Sequence, residues 1–218
     1  TLLQDPIDDS QGSREIVSDA THAAAYIYND GNYLYFRLRL DEDPSGTGGQ
    51  GLLKAYGWGV EFDVNENDID YEWLLMVDGI DKVENVTLRQ NTLQGTIGDP
   101  SDSSEVSYSP QPLAANFQVS VADSSLNGNA DYFLDWRIDY AVLQTITGMT
   151  DTSPLRMFFG SSNQTHTLTS GGSDLAGGSL IGGFSEFITP LGTQPATGSV
   201  MFVDDLAGNG DATTVLLE

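Results

Sequence analysis

The chain has 218 residues, of which 8 are basic and 32 acidic, and its formal net charge is −24. Nucleic-acid binding is not expected, because phosphate contacts need clustered lysine and arginine; the carboxylates favour cations as partners, or a saline habitat. The chain has no cysteine, which removes thiol catalysis, thiolate metal sites and disulfides. No apolar run approaches the roughly 18 residues of a membrane span.

The first 13 residues are interpreted as an N-terminal arm. Leu2 and Leu3 are apolar, and the acidic run DPIDDSQGS that follows has little to bury. The chain begins without a charged segment followed by an apolar one, as expected when a secretory signal has been removed. We therefore expect an extracellular or cell-surface protein, with a folded domain over residues 14–203 and an acidic loop and terminal strand over 204–218.

Two strands joined by a hairpin are predicted within residues 22–41. The sequence NDGN at 29–32 is a strong hairpin signal. Over 33–41, large apolar residues alternate with residues of an amphipathic face, which is typical of a half-buried strand. Tyr33 and Tyr35 on that outer face are candidates for stacking on a ligand or for a packed interface.

Two further strands are predicted within residues 54–79. In the first, bulky residues alternate with small or polar ones, so that Gly57 and Gly59 lie on a smooth face that another backbone could approach. In the second, at 71–78, both faces are largely apolar, which favours a strand covered on both sides. We expect both strands to be central in a sheet.

The turn between these two strands is built from side chains that carry oxygen. Its spacing resembles the first half of a calcium-binding loop, in which alternate side chains turn towards a hard cation. Position six lacks glycine, position twelve lacks glutamate and the flanking elements are strands, so an EF-hand is excluded. A calcium-bound turn and a solvated turn both remain. The candidate ligands are Asp63, Asn65, Asn67, Asp68 and Asp70.

The second half of the chain adds shorter elements. Residues 117–121 alternate cleanly, and 132–138 form a strand in which Trp136 points with the aliphatic residues. Asp139 is expected to cap a short helix over 140–147 that Gly148 ends, and 154–160 resumes as a strand. Residues 99–112 are interpreted as a polar connection. From 161 onward the chain is rich in glycine, serine and threonine, with weak strands near 165–169, 184–188 and 199–203.

Two further loops and both chain ends are also candidate sites. The loop at 123–131 and the loop at 204–211 carry carboxylates and amides that suit calcium. Both chain ends carry short apolar pieces, which are suited to adding a strand to the sheet of another molecule. The loop candidates are Asp123, Asp131, Asp204, Asp205, Asn209 and Asp211, and the apolar residues of the C-terminal end are Val215, Leu216 and Leu217.

Many short strands with turn signals between them predict an all-β protein. The expected fold is an antiparallel two-sheet sandwich, of the jelly-roll or immunoglobulin-like kind, with long acidic loops and one short helix. The expected core residues are Leu34, Phe36, Leu38, Trp58, Val60, Phe62, Trp73, Leu75, Trp136 and Ile138.

The order of three segments is similar to a known sandwich. YLYFRLRLDED, then WGVEFDVNENDIDYEWLLMVDG, and later DYFLDWRIDYAVLQTITGMTDTSPLRMFFGSSN resemble, over residues 14–165, the domain shared by DOMON proteins and family 9 carbohydrate-binding modules. The resemblance implies the sandwich fold and, for the second family, sugar binding by tryptophans. The haem ligation of some DOMON members is not carried over, because nothing in the spacing pairs Met76 with His22.

The function expected from the sequence is not enzymatic. The two histidines lack zinc-type spacing, no G-x-S-x-G occurs, and no pair among the 32 acidic residues stands out. Two alternatives remain. One is an extracellular structural subunit, stabilised by calcium, that forms a homo-oligomer or polymer by strand addition. The other is a carbohydrate-binding module with glycans as partners.

Overall fold

A computed structural model describes residues 5, 7–64, 71–93, 102–151, 153–168, 173–176 and 194–195. Its strands and the one α-helix of these ranges are β1 (Ala25–Asn29), β2 (Tyr33–Leu40), β3 (Gly57–Asp63), β4 (Trp73–Asp78), β5 (Asn85–Gln90), β6 (Val106–Pro112), β7 (Phe117–Val121), β8 (Tyr132–Asp139), α1 (Tyr140–Thr147), β9 (Pro154–Ser162), β10 (Asp174–Ala176) and β11 (Gln194–Pro195). Short 3₁₀ turns lie at Gly12–Arg14 and Leu113–Ala115.

The strands form two antiparallel sheets, which confirms the predicted fold class. The smaller sheet has the order β1-β2-β8-β7. The larger sheet has the order β10-β9-β3-β4-β5-β6, with β11 also paired to β9. The central position predicted for β3 and β4 is confirmed.

The core lies between the two sheets and contains all ten residues predicted for it. Phe36 on β2 links the layers, because its ring centroid lies 5.7 Å from that of Trp136 in its own sheet and 5.6 Å from that of Phe62 in the opposite sheet. All three tryptophans are buried, so none forms an exposed sugar-binding platform.

The helix is stopped at both ends as its sequence predicts. The Asp139 carboxylate accepts a hydrogen bond from the Val142 amide at 2.9 Å, which satisfies a free donor of the first turn. Gly148 ends the helix at φ 75°, a left-handed conformation that glycine adopts without strain.

Strand β6 corrects the prediction of an irregular connection at 99–112. It carries Pro110 and Pro112 and yet pairs with β5. Proline lacks the amide hydrogen that a central strand needs, but an edge strand tolerates it on its free side. Because β6 is the last strand in its sheet, its prolines do not prevent pairing.

The smooth glycine face of β3, predicted to let another backbone approach, is approached by a segment of the same chain. A Cβ on Gly57 would lie 3.1 Å from the Gln164 carbonyl oxygen, and one on Gly59 would lie 3.2 Å from Leu168 Cδ2. A second apolar cluster forms on this outer side of the large sheet. Its members are Tyr71, Leu74, Met76, Leu168 and Leu175.

The described part of the N-terminal arm is packed onto the sandwich. The Ser13 carbonyl accepts a hydrogen bond from Trp58 Nε1 at 2.9 Å, and the Arg14 carbonyl accepts one from Ser161 Oγ at 2.8 Å. Ile16 then forms a bridge with Leu40. The backbone oxygens of Ser13 and Arg14 therefore satisfy polar groups buried in the domain.

Candidate metal centre

Three aspartates from distant parts of the chain meet where the N-terminal segment crosses β10. Asp5, Asp9 and Asp174 each place a carboxylate oxygen within 4.8 Å of the other two. Asp5 and Asp174 are only 4% and 5% exposed, whereas Asp9 is exposed. We call this group the carboxylate cluster.

Asp174 is positioned by β10 and holds the N-terminal segment in place. Its Oδ2 accepts a hydrogen bond from the Ile16 amide at 2.5 Å, although the two residues are 158 positions apart. Its Oδ1 accepts one from the Leu175 amide at 2.9 Å. The Asp174 amide in turn donates to Ser161 Oγ on β9 at 3.2 Å.

Asp5 is anchored through its backbone and not through its side chain. Its amide donates to Ser18 Oγ at 2.5 Å, and the Ser18 hydroxyl donates back to the Asp5 carbonyl at 2.9 Å. Neither carboxylate oxygen of Asp5 accepts a hydrogen bond from the described residues. A buried carboxylate in this state is costly unless a proton or a cation compensates it.

Glu15 shapes the turn that carries Asp9. Its carboxylate accepts hydrogen bonds from the backbone amides of Asp8 at 2.5 Å, Asp9 at 3.3 Å and Ser10 at 2.5 Å. The loop is therefore wrapped around a fourth acidic side chain, which increases the negative potential at the cluster. Desolvation by burial raises the pKa of Glu15, although the amides that it accepts from lower it.

Burial and the neighbouring negative charges raise the pKa values of the two buried carboxylates of the cluster. Burial, followed by the charges of Asp174, Asp9 and Glu15, raises the pKa of Asp5 to about 10. Burial also raises the pKa of Asp174 to about 8, opposed by the hydrogen bond from the Ile16 amide. Within the described residues, none of the ion pairs involves these aspartates.

The geometry of the cluster suits a hard divalent cation. Calcium is bound by oxygen ligands at about 2.3–2.6 Å, so two ligands on opposite sides of one ion are roughly 5 Å apart. The three carboxylate oxygens lie within 4.8 Å of one another, which is compatible with that distance. Backbone carbonyls or water would complete the coordination, as is usual for calcium.

The turn after β3 and the 123–131 loop, both predicted to bind calcium, differ in how much of them the structure describes. Asp63 ends β3 and is 1% exposed, and the other four residues of its turn, Asn65, Asn67, Asp68 and Asp70, lie outside the described residues. Asp123 pairs with Arg39 at 3.1 Å, and the Asp131 carboxylate accepts hydrogen bonds from the Leu126 amide at 3.3 and 3.1 Å. The carboxylates of Asp123 and Asp131 are therefore already engaged by donors of the protein.

The remaining predicted site residues lie in the terminal segments. Leu2 and Leu3, the loop candidates Asp204, Asp205, Asn209 and Asp211, and the apolar end Val215, Leu216 and Leu217 are all outside the described residues.

Tyr33 and Tyr35 form part of a half-buried aromatic patch on the small sheet. The ring of Tyr35 stacks on Tyr28 with centroids 5.8 Å apart, and the guanidinium of Arg137 lies 4.1 Å from the centre of the Tyr33 ring. The Tyr35 hydroxyl donates to the Asp30 carboxylate at 2.9 Å. Burial, followed by this hydrogen bond, raises the pKa of Tyr35 to about 12.

Sequence reasoning missed the carboxylate cluster. Asp5 and Asp9 stand in an acidic run that we interpreted as an arm with little to bury, and Asp174 is isolated in a segment rich in glycine and serine. The acidic run itself was the available signal, and its partner lies near the other end of the chain.

No helix in the described ranges combines the length and apolar character needed to cross a membrane. No protein-family model, curated protein or solved structure matches this chain.

Proposed function

We propose that this chain is a non-enzymatic structural subunit of the cell exterior, part of a cell-surface, filament or matrix assembly. In this proposal, calcium bound by Asp5, Asp9 and Asp174 holds the N-terminal segment against the sandwich. The observation that carries the proposal is the buried Asp5 carboxyl group, which has no amide, hydroxyl or cationic donor among the described residues and faces two further aspartates.

A cation bound by the carboxylate cluster would hold the N-terminal segment against the large sheet. The cluster joins the N-terminal segment to β10, which pairs with β9 of the large sheet. An ion that binds only the folded state adds to the free energy of unfolding, by about 2.7 kcal/mol at a hundredfold excess over its dissociation constant. Extracellular calcium modules work with dissociation constants of about 10⁻⁴–10⁻³ M, so a weak site suffices outside the cell.

The same geometry favours a structural role over catalysis. Asp5 and Asp174 are buried, which restricts the approach of a substrate to an ion bound between them. His22 is engaged by Asp19 near the surface, with Nδ1 and Oδ1 2.9 Å apart. Assembly by strand addition and the identity of the ion remain predictions within this proposal.

Thermal unfolding in calcium and in chelator, at fixed ionic strength, tests the proposal. Wild type and the control Asp81→Asn, which changes an exposed aspartate, should melt at a higher temperature in calcium. Asp5→Asn should lose the part of that response that the carboxylate cluster provides. In chelator at neutral pH it should melt above wild type, because the amide needs no proton to be buried, whereas folding has to protonate the Asp5 carboxylate. Equal calcium responses in wild type and Asp5→Asn would overturn the proposal.

The aromatic patch supports a second candidate function, carbohydrate binding. Tyrosine rings can stack on sugars, and Asp30 and Arg137 supply an acceptor and a donor beside them. Glycan binding that is lost in Tyr33→Ala with Tyr35→Ala, while the melting temperature is unchanged, would favour this function. Absence of glycan binding by wild type would rule it out.

A further inference from the structure

Strand β7 is an exposed edge strand without charge or proline. It is the last strand of the small sheet and pairs with β8 on one side. Its sequence FQVSV has no charge and no proline, although 40 of the 218 residues of the chain are charged. Each of its five residues is at least partly exposed, and Val121 is 66% exposed.

The other sheet edges in the described part of the chain are protected in ways that β7 is not. Strand β6 carries two prolines, and β10 has only three residues and is crossed by the N-terminal segment through Ile16. The first three residues of β1 are buried. Proteins use short strands, proline, charge and coverage to prevent edge-to-edge pairing. Strand β7 has neither proline nor charge, and no strand of the described ranges pairs with its free side, which favours an edge that is used.

The sequence of β7 is complementary to itself when two copies run antiparallel. With Val119 opposite Val119 of the partner subunit, Phe117 lies opposite the partner's Val121, and Gln118 lies opposite the partner's Ser120. Apolar residues then meet apolar residues on one face and polar residues meet polar residues on the other, as cross-strand pairs require.

We propose that β7 pairs with β7 of a second copy of this chain around a two-fold axis, joining the two small sheets into one. This inference rests on the proposed function, because it identifies the contact by which a structural subunit meets its neighbour. Phe117 and Val119 already pack at the margin of the core. The new strand pair would bury the exposed Val121 beside them and satisfy the free backbone groups of both edges.

The charge of the chain sets the conditions for this pairing. Two copies of net charge −24 repel each other at low salt. The Debye length falls from about 30 Å at 0.01 M to about 8 Å at 0.15 M ionic strength, so salt screens most of that repulsion. Pairing should therefore strengthen as ionic strength rises, because the contact itself carries no charge.

Cysteine cross-linking tests the register directly, since the native chain has no cysteine. Directly opposite residues of an antiparallel pair have Cα atoms about 4.5 or 5.5 Å apart, which is within disulfide range. Val119→Cys should form a disulfide-linked dimer in mild oxidant. Val83→Cys is the matched control, because Val83 is 63% exposed outside any strand, and it should cross-link at least tenfold more slowly.

Sedimentation at several protein and salt concentrations supplies a second test. Val121→Lys should weaken dimerisation at least tenfold with little change in melting temperature, whereas Val83→Lys should dimerise like wild type. A wild type that stays monomeric at high salt, equal cross-linking of the two cysteine variants, or unchanged dimerisation of Val121→Lys would each overturn the proposal. A Val119→Cys protein that assembles without forming the disulfide would also overturn the proposal, because another segment would then occupy the edge.

The outcome for β7 can be separated from the outcome for the metal centre. The calcium response of the melting temperature is an intramolecular property and should persist in monomeric Val121→Lys. If that response is absent while Val119→Cys cross-links as expected, the metal centre fails and the β7 contact stands.

Discussion

Arg37 and Asp135 form a buried two-point ion pair on the outer face of the small sheet. They are directly opposite each other on β2 and β8, with Nε–Oδ1 and Nη2–Oδ2 distances of 2.5 and 2.8 Å. The guanidinium also lies 4.1 Å from the centre of the Phe133 ring. By the alternation over residues 33–41, Arg37 belongs to the outer face of β2, but neighbouring segments cover it. A third apolar cluster lies there, formed by Ala23, Tyr26, Ala122 and Phe133.

We predict that breaking this ion pair from one side is more harmful than removing it altogether. Asp135→Ala leaves a buried guanidinium without its carboxylate and should lower the free energy of unfolding by about 3–5 kcal/mol. The double variant Arg37→Met with Asp135→Leu should lose less, because no charge stays buried. Urea denaturation of the three proteins measures both values. A double variant less stable than Asp135→Ala would contradict the prediction.

We predict a large loss of stability when the aromatic contact between the sheets is truncated. Phe36→Ala or Trp136→Ala removes a fully buried ring and should cost about 3–5 kcal/mol in chemical denaturation. Leu93→Ala is the control, because Leu93 is 71% exposed, and it should change stability by less than about 0.5 kcal/mol. Losses below about 1 kcal/mol at both aromatic positions would count against the core assignment.

We predict that without divalent cations the protein becomes less stable as the pH rises from about 5 to 8. Burial and neighbouring carboxylates raise the pKa values of Asp5 and Asp174 from 3.8 to about 10 and about 8, so the folded state holds more protons than the unfolded state in this range. By linkage the free energy of unfolding then falls as the pH rises, and the stabilising contribution is complete only below the unfolded value.

Denaturation in chelator at pH 5, 6.5 and 8 measures this slope. Asp5→Asn should show a smaller slope than wild type, because it removes one of the two titrating carboxylates. Calcium should bind more tightly at higher pH, since protons compete for the same oxygens. Parallel slopes for the two proteins would show that the cluster does not control this pH dependence.

We predict that Gly59→Ala destabilises the single molecule. Its Cβ would lie 2.7 Å from the Leu75 carbonyl oxygen, and the backbone cannot easily yield, so a loss of about 1–3 kcal/mol is expected. Gly57→Ala is a matched comparison with a smaller expected loss, because its nearest neighbour is the flexible end of Met76 at 2.7 Å. A change in oligomeric state with unchanged stability would instead support the predicted role of this face in assembly.

We predict that the turn after β3 holds a second calcium ion, as its spacing indicates. Titration calorimetry should show one equivalent fewer for Asp70→Asn and one fewer for Asp5→Asn. The double variant should lose both equivalents. If Asp70→Asn binds as many ions as wild type, the turn is a solvated one and the cluster accounts for calcium binding.

The sequence by itself determined the features that depend on neighbouring residues. Alternation with a period of two separates the faces of β2, β3 and β8 wherever the fold places those strands, so the core could be predicted. Asp139 and Gly148 act within one turn of α1, so the limits of the helix were predictable as well.

Only the tertiary structure decided the features that depend on distant residues. Asp5 and Asp174 meet because β10 pairs with β9 and the N-terminal segment crosses it, and no local pattern encodes that approach. The position of β6 at an edge made its prolines harmless, and the segment at 164–168 turned the open glycine face of β3 into an interior one. Side-chain periodicity is local, whereas burial and charge proximity depend on which strands become neighbours.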